Sequence, residues 1–174
     1  IGTVFLGASA PPALASLVVN TSNCTETPFV EAYDGGTLDL SALETVTAEN
    51  LNTFSFNVRS GGAIDLSSLA TVSRTEFDVS ADASMSLPSL ASVAKGRFRV
   101  FDGGGLTAPN LTTVSEVMFS VSDVGEIVAF DGLSTVIDSQ IPILEGDAWS
   151  LPSLTTLTTT SVTIATGGSL DAPS

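Results

Sequence analysis

The groups in this sequence that could do chemistry are few. Arg59, Arg74, Lys95, Arg97 and Arg99 are the entire basic complement of a 174-residue chain that carries 19 Asp and Glu and a formal net charge of −14. Tyr33, Phe101 and Met118 share their repeat positions. Guanidinium groups pair with carboxylates in a fixed fork, and exposed aromatic rings add flat apolar surface. Tyr33, Arg59, Lys95, Arg97, Arg99, Phe101 and Met118 are therefore the candidate ligand-binding face, suited to an acidic polysaccharide, a surface glycan or a protein partner. Asp102, Asp123 and Glu145 recur at one position of successive repeats. Stacked carboxylates repel, and a calcium ion would relieve that repulsion, so these three are the candidate metal ligands. Thr45, Thr71, Ser92, Thr113, Thr135 and Thr156 form a third series, a regular column of hydroxyls.

Other chemistry is excluded or weak. There is no histidine, which removes Ser-His and Cys-His catalysis and the commonest zinc ligand. Cys24 is the one cysteine, so no internal disulfide forms. Asp78 and Arg99 are the best catalytic candidates, but no pair of acids is marked out by its setting. The expectation is a protein that is not an enzyme and needs no cofactor, calcium excepted. Nucleic acid and anionic membrane surfaces suit the charge poorly. Mean hydropathy is +0.41. No apolar run reaches the roughly 18 residues that a spanning helix needs, so membrane insertion is not expected.

These groups are positioned by a repeat. Phe56, Phe77, Phe98 and Phe119 are 21 residues apart, followed by Ile141 and Val162 (position 1). Position 3 holds Val58, Val79, Val100, Val121, Ile143 and Ile164. Position 9 holds Ile64, Met85, Leu106, Ile127, Trp149 and Leu170. Position 14 holds Leu69, Leu90, Leu111, Leu133 and Leu154, and position 17 holds Val72, Val93, Val114, Val136 and Leu157. A fixed period of this length is the mark of a solenoid, and it is too short for helix pairs. Branched and aromatic residues at alternate positions read as strand. Gly61-Gly62, Gly103-Gly104 and Gly167-Gly168 supply permissive corners, and Pro88, Pro109, Pro152 and Pro173 end strands. The prediction is an all-β parallel β-solenoid (β-helix) of about seven coils of 21–22 residues.

Residues 1–29 read as an irregular first coil and loop, with Leu14 and Leu17 at positions 14 and 17. Residues 30–174 read as regular coils of one continuous domain. An insertion is expected near Thr47 to Ser55, and one extra residue near Phe130 to Gly132. Asn20, Asn23 and Asn110 stand in glycosylation sequons. The chain starts in repeat register without a visible signal peptide. Its last coil stops in mid-repeat, so bare strand edges are expected to pair with further coils or other molecules.

Side-chain alternation places positions 19, 21, 2 and 4 on one outer face. There the charges line up on neighbouring coils: Glu76 with Arg97, Asp78 with Arg99, Lys95 with Glu116. Opposite charges on adjacent strands contribute about 0.2–1 kcal/mol each, which explains most of the basic residues without any ligand.

The phrases LPSLTTL (151–157), LPSLASV (87–93) and APNLTTV (108–114) resemble those of leucine-rich and receptor-L-like β-solenoids and of cell-wall and bacterial surface repeat proteins. The Asn of standard leucine-rich repeats is missing. The resemblance implies extracellular binding or wall structure; with the bare strand edges it gives the expectation of an extracellular or cell-surface structural, adhesive or filament-forming role, with self-association through open solenoid ends. A carbohydrate-binding module of a secreted polysaccharide-degrading enzyme, using Tyr33, Arg59, Arg99 and Phe101, is the alternative. The Thr column is similar to the surface of ice-binding solenoids, a third reading, set against a plain hydroxyl ladder between strands.

Overall fold

The computed structural model describes residues 15–19, 27–49, 53–122 and 127–173. Every described element is a strand, and the strands come in triplets. In chain order they are β1 (Ser16–Val19), β2 (Phe29–Ala32) and β3 (Thr37–Asp39); β4 (Thr45–Ala48), β5 (Phe54–Val58) and β6 (Ala63–Asp65); β7 (Thr71–Ser73), β8 (Thr75–Val79) and β9 (Ser84–Ser86). They continue as β10 (Ser92–Ala94), β11 (Arg97–Phe101) and β12 (Gly105–Thr107); β13 (Thr113–Ser115), β14 (Met118–Ser122) and β15 (Ile127–Ala129). The last are β16 (Thr135–Ile137), β17 (Gln140–Ile143) and β18 (Ala148–Ser150); β19 (Thr156–Thr158), β20 (Ser161–Ile164) and β21 (Ser169–Asp171).

Each strand pairs in parallel with the strand one triplet away, so the chain winds as a three-faced parallel solenoid. The first face is the sheet β1-β4-β7-β10-β13-β16-β19, and the second is β2-β5-β8-β11-β14-β17-β20. The third face is made of shorter groups, β3-β6, β9-β12-β15 and β18-β21. Five rungs have neighbours on both sides. The structure thus holds about five turns flanked by an end rung on each side, against the seven coils that the sequence columns suggest.

The columns form the core. Phe56, Phe77, Phe98 and Phe119 are fully buried, and their rings stack face to face at 5.8, 5.3 and 5.4 Å, close to the strand spacing. Leu43, Leu69, Leu90, Leu111 and Leu133 line a second inner edge, and Val46, Val93, Val114 and Val136 a third. Burial of each such side chain stabilises by about 1.5–3 kcal/mol before entropy is counted. One register assignment is corrected. Leu106 faces Val128, not Ile127, and Gly105 faces Ile127. The extra residue of that coil therefore lies before Ile127 rather than near Phe130 to Gly132. The run Ile127-Val128-Ala129-Phe130 suits either parity by hydrophobicity alone, and burial of Phe130 against Phe98 and Phe119 selects the observed one.

Two corners have distinct chemistry. Between the second and third faces, Asp34-Gly35, Ser60-Gly61, Ala81-Asp82 and Asp102-Gly103 each have two consecutive positive φ angles. The next position lies against the backbone of the preceding rung. A Cβ on Gly62 would fall 2.3 Å from the Ala32 carbonyl oxygen, and one on Gly104 2.6 Å from that of Val79. The corner between the first and second faces is left-handed without glycine: Arg74, Lys95, Glu116, Asp138 and Thr159 have φ between 48 and 57°. The N–H groups of Arg74, Lys95, Glu116 and Asp138 hold this costly conformation by donating to the next rung, as from Lys95 to the Ser115 carbonyl at 2.8 Å.

Candidate functional site

The second face carries most of the candidate residues, because alternation turns every other side chain of β2, β5, β8, β11 and β14 outward. Arg99 donates from Nη1 to Asp78 Oδ2 at 2.8 Å and lies 5.4 Å over the Phe101 ring, so one guanidinium joins an ion pair to a cation–π contact. Burial pushes the Asp78 carboxyl above its ordinary value, against the attraction of Arg99, Arg59 and Arg97. Lys95 pairs with Glu116 at 3.5 Å. Two of the three charge pairs read from the columns thus occur. The third does not: Arg97 turns to Met118, with Nη2 3.3 Å from Sδ, while Glu76 accepts from Thr53.

The structure adds one pair that column matching misses, Arg59 with Glu31. It is diagonal, linking position 4 of one rung to position 2 of the one before. The long reach of arginine across a twisted sheet is the signal that would find it. Beside it Tyr33 is 55% exposed and Phe29 39% exposed. Arg97, Arg99, Phe101, Met118 and Asp78 are therefore one cluster on β8, β11 and β14, whereas Tyr33, Arg59 and Glu31 form a second on β2 and its neighbour. Arg74 and Lys95 belong to neither. Their left-handed φ sets them on the corner rather than on the flat sheet. Next to that corner lies a shallow open groove of about 450 Å³, lined by Gly96, Glu116, Val117, Met118, Asp138 and Gln140.

Asp102 and Glu145 sit in exposed turns, and Asp123 lies outside the described residues, as do Asn20, Asn23 and Cys24. Among the described residues no group of three His, Cys, Asp or Glu side chains is placed to hold a metal. Asn110 is exposed and its Nδ2 donates to the Pro88 carbonyl of the previous rung at 2.7 Å. Ser89 and Ser153 make the same staple at 2.6 Å.

The hydroxyl column lies on the first face in unbroken register: Thr45, Thr71, Ser92, Thr113, Thr135 and Thr156 face one another strand by strand. It is not a bonded ladder. Thr45 donates to Ser16 at 3.1 Å, but the hydroxyls of Thr71, Ser92, Thr113, Thr135 and Thr156 have no protein partner among the described residues. On β19 and β20, Leu157 and Ile164 occupy core columns yet are 47% and 49% exposed.

Comparison of the chain with protein-family models, with curated proteins and with solved structures finds no match.

Proposed function

We propose that this chain is a non-enzymatic extracellular β-solenoid, a segment of a cell-surface, adhesive or filament-forming structural protein of the leucine-rich or receptor-L-like kind. The observation that carries the reading is the parallel stack itself. Each rung templates the next, and Leu157 and Ile164 offer apolar core columns on a rung whose strand edges match any further rung of the same register. Asp78 and Arg99 neutralise one another, which supports a structural use of the groups best suited to catalysis. The abundance of Ser and Thr beside a single Lys supports an extracellular setting. Sedimentation velocity across concentration tests the reading. Association is expected, and Leu157→Asp with Ile164→Asp should abolish it. A strictly monomeric species at all concentrations would refute it.

Two surface features favour further readings. Exposed Tyr33, with Phe101 held under Arg99, favours carbohydrate binding on the second face. Glycan-array binding that disappears in Phe101→Ala would support it. The unpartnered hydroxyls of the first face favour ice binding, for which thermal hysteresis, lost in Thr113→Tyr, is the assay.

A further inference from the structure

The rungs are not joined equally. On the second face β5 and β8 pair through five consecutive residues, and so do β11 and β14. Between β14 and β17 only Met118 and Gln140 remain paired. The cause is local chemistry. Along this face alternate residues give their N–H to the preceding rung, as Arg59 does to Ala32 at 3.1 Å, Ser80 to Val58 at 3.0 Å and Gln140 to Val117 at 2.9 Å. The next two donors in that series are residues 142 and 144. Pro142 has no N–H. The Leu144 N–H turns to the Asp147 carboxylate of its own turn, 3.2 Å away.

The third face breaks at the same level, since β15 and β18 belong to separate sheets. A similar break between β6 and β9 is spanned by the full β5–β8 ladder, so it makes no seam. At the level of β14 and β17 the first face alone is continuous, β16 pairing β19 over three residues. Across the other two faces, beyond the single main-chain bond from Gln140 to Val117, the joint rests on side chains. Trp149 packs edge-on to Phe119 at 5.6 Å and tilted against Phe130 at 6.5 Å. The groove beside Met118 and Gln140 is the outer mouth of the same joint.

We propose that residues 140–173 open as one unit, hinged on the β16–β19 ladder, while the rungs before them stay closed. Local opening of this kind follows contiguous units bounded by weak joints. The proposal is independent of what either outer face binds. Hydrogen exchange of the intact chain tests it. Amides of 140–173 are expected to share one rate, about ten-fold or more faster than those of 75–107, with a step at the joint. Pro142→Val returns a donor to the Phe119 carbonyl and should slow the whole unit together. Trp149 is the one tryptophan of the chain and crosses the joint, so acrylamide quenching should rise in low urea before far-UV ellipticity changes. Rates that grade smoothly from rung to rung, Trp149 quenching that rises only with ellipticity loss, or a Pro142→Val protein with unchanged exchange would overturn the proposal.

Discussion

The first and second faces share one backbone plan: seven parallel strands, one per rung. Their outward side chains differ almost completely. The described outward positions of the first face are Ser16, Val18, Thr45, Thr47, Thr71, Ser73, Ser92, Ala94, Thr113, Ser115, Thr135, Ile137, Thr156 and Thr158, with no charge among them. The second face carries Glu31, Arg59, Glu76, Asp78, Arg97 and Arg99, most of them engaged with one another. The main-chain ladder asks nothing of an outward side chain, so each face is free to specialise. On the first face most hydroxyls point to solvent unpaired, and on the second Arg59 pairs with Glu31 and Arg99 with Asp78.

The comparison rests on a common interior, and the largest predicted effect tests that. Phe77→Ala should cost about 3–5 kcal/mol and Val93→Ala, under the first face, roughly 2 kcal/mol, measured by urea unfolding. A cost under about 1 kcal/mol for Phe77→Ala would mean that the shared core is not what holds the faces.

Next in size is the charge pairing that sets the second face apart. Asp78→Arg should destabilise modestly, and adding Arg99→Asp should recover about 0.5–1 kcal/mol, allowing for the partial exposure of Arg99. Strict additivity would show that the two side chains do not couple. At the corner between the faces, Thr159 holds a left-handed φ of 49° with a β-branched side chain. Thr159→Gly should raise stability by about 0.5–1 kcal/mol.

The smallest effect is pH-dependent. Burial raises the Asp78 pKa above its ordinary value near 3.8, so the folded state holds this proton more tightly than the unfolded chain does. Its stabilising contribution is complete below about 3.8 and is lost as pH rises through the raised folded value. Wild type should therefore lose stability relative to Asp78→Asn across that rise. Asp39 has the opposite sign. Hydrogen bonds from the Ser41 hydroxyl and N–H lower its pKa, and its contribution disappears as pH falls through that value. A flat difference between wild type and Asp78→Asn would remove burial as the feature that distinguishes this carboxylate.

Much of this was readable from residue types because the interior is a translation. A buried column must repeat at the period of the coil, so Phe56 through Phe119 announce both period and parity. Outward residues are under no such demand, and there the sequence is less informative. Arg97 and Glu76 share a column but do not meet, since a long side chain on an exposed strand can choose Met118 as readily as a carboxylate. Arg59 reaches Glu31 on the diagonal, where no column points. Alternation continued through Lys95 puts it on the flat face, but its left-handed φ ends the strand there. Four consecutive apolar residues from Ile127 to Phe130 fit two registers, so residue types alone do not locate the extra residue before Ile127.

The regular 21-residue pairing also bears on how fast the chain can find its fold. Every ladder joins residues about one coil apart, so the typical contact spans 21 of 174 residues, roughly 0.12 of the length, in the range of mixed α/β domains rather than of slow all-β sandwiches. The entropy of closing each coil is nearly the same wherever the first coil forms. Once two rungs are stacked, each further rung adds by the same local step. Lengthening such a rod multiplies its reach without lengthening the search that any one rung must make.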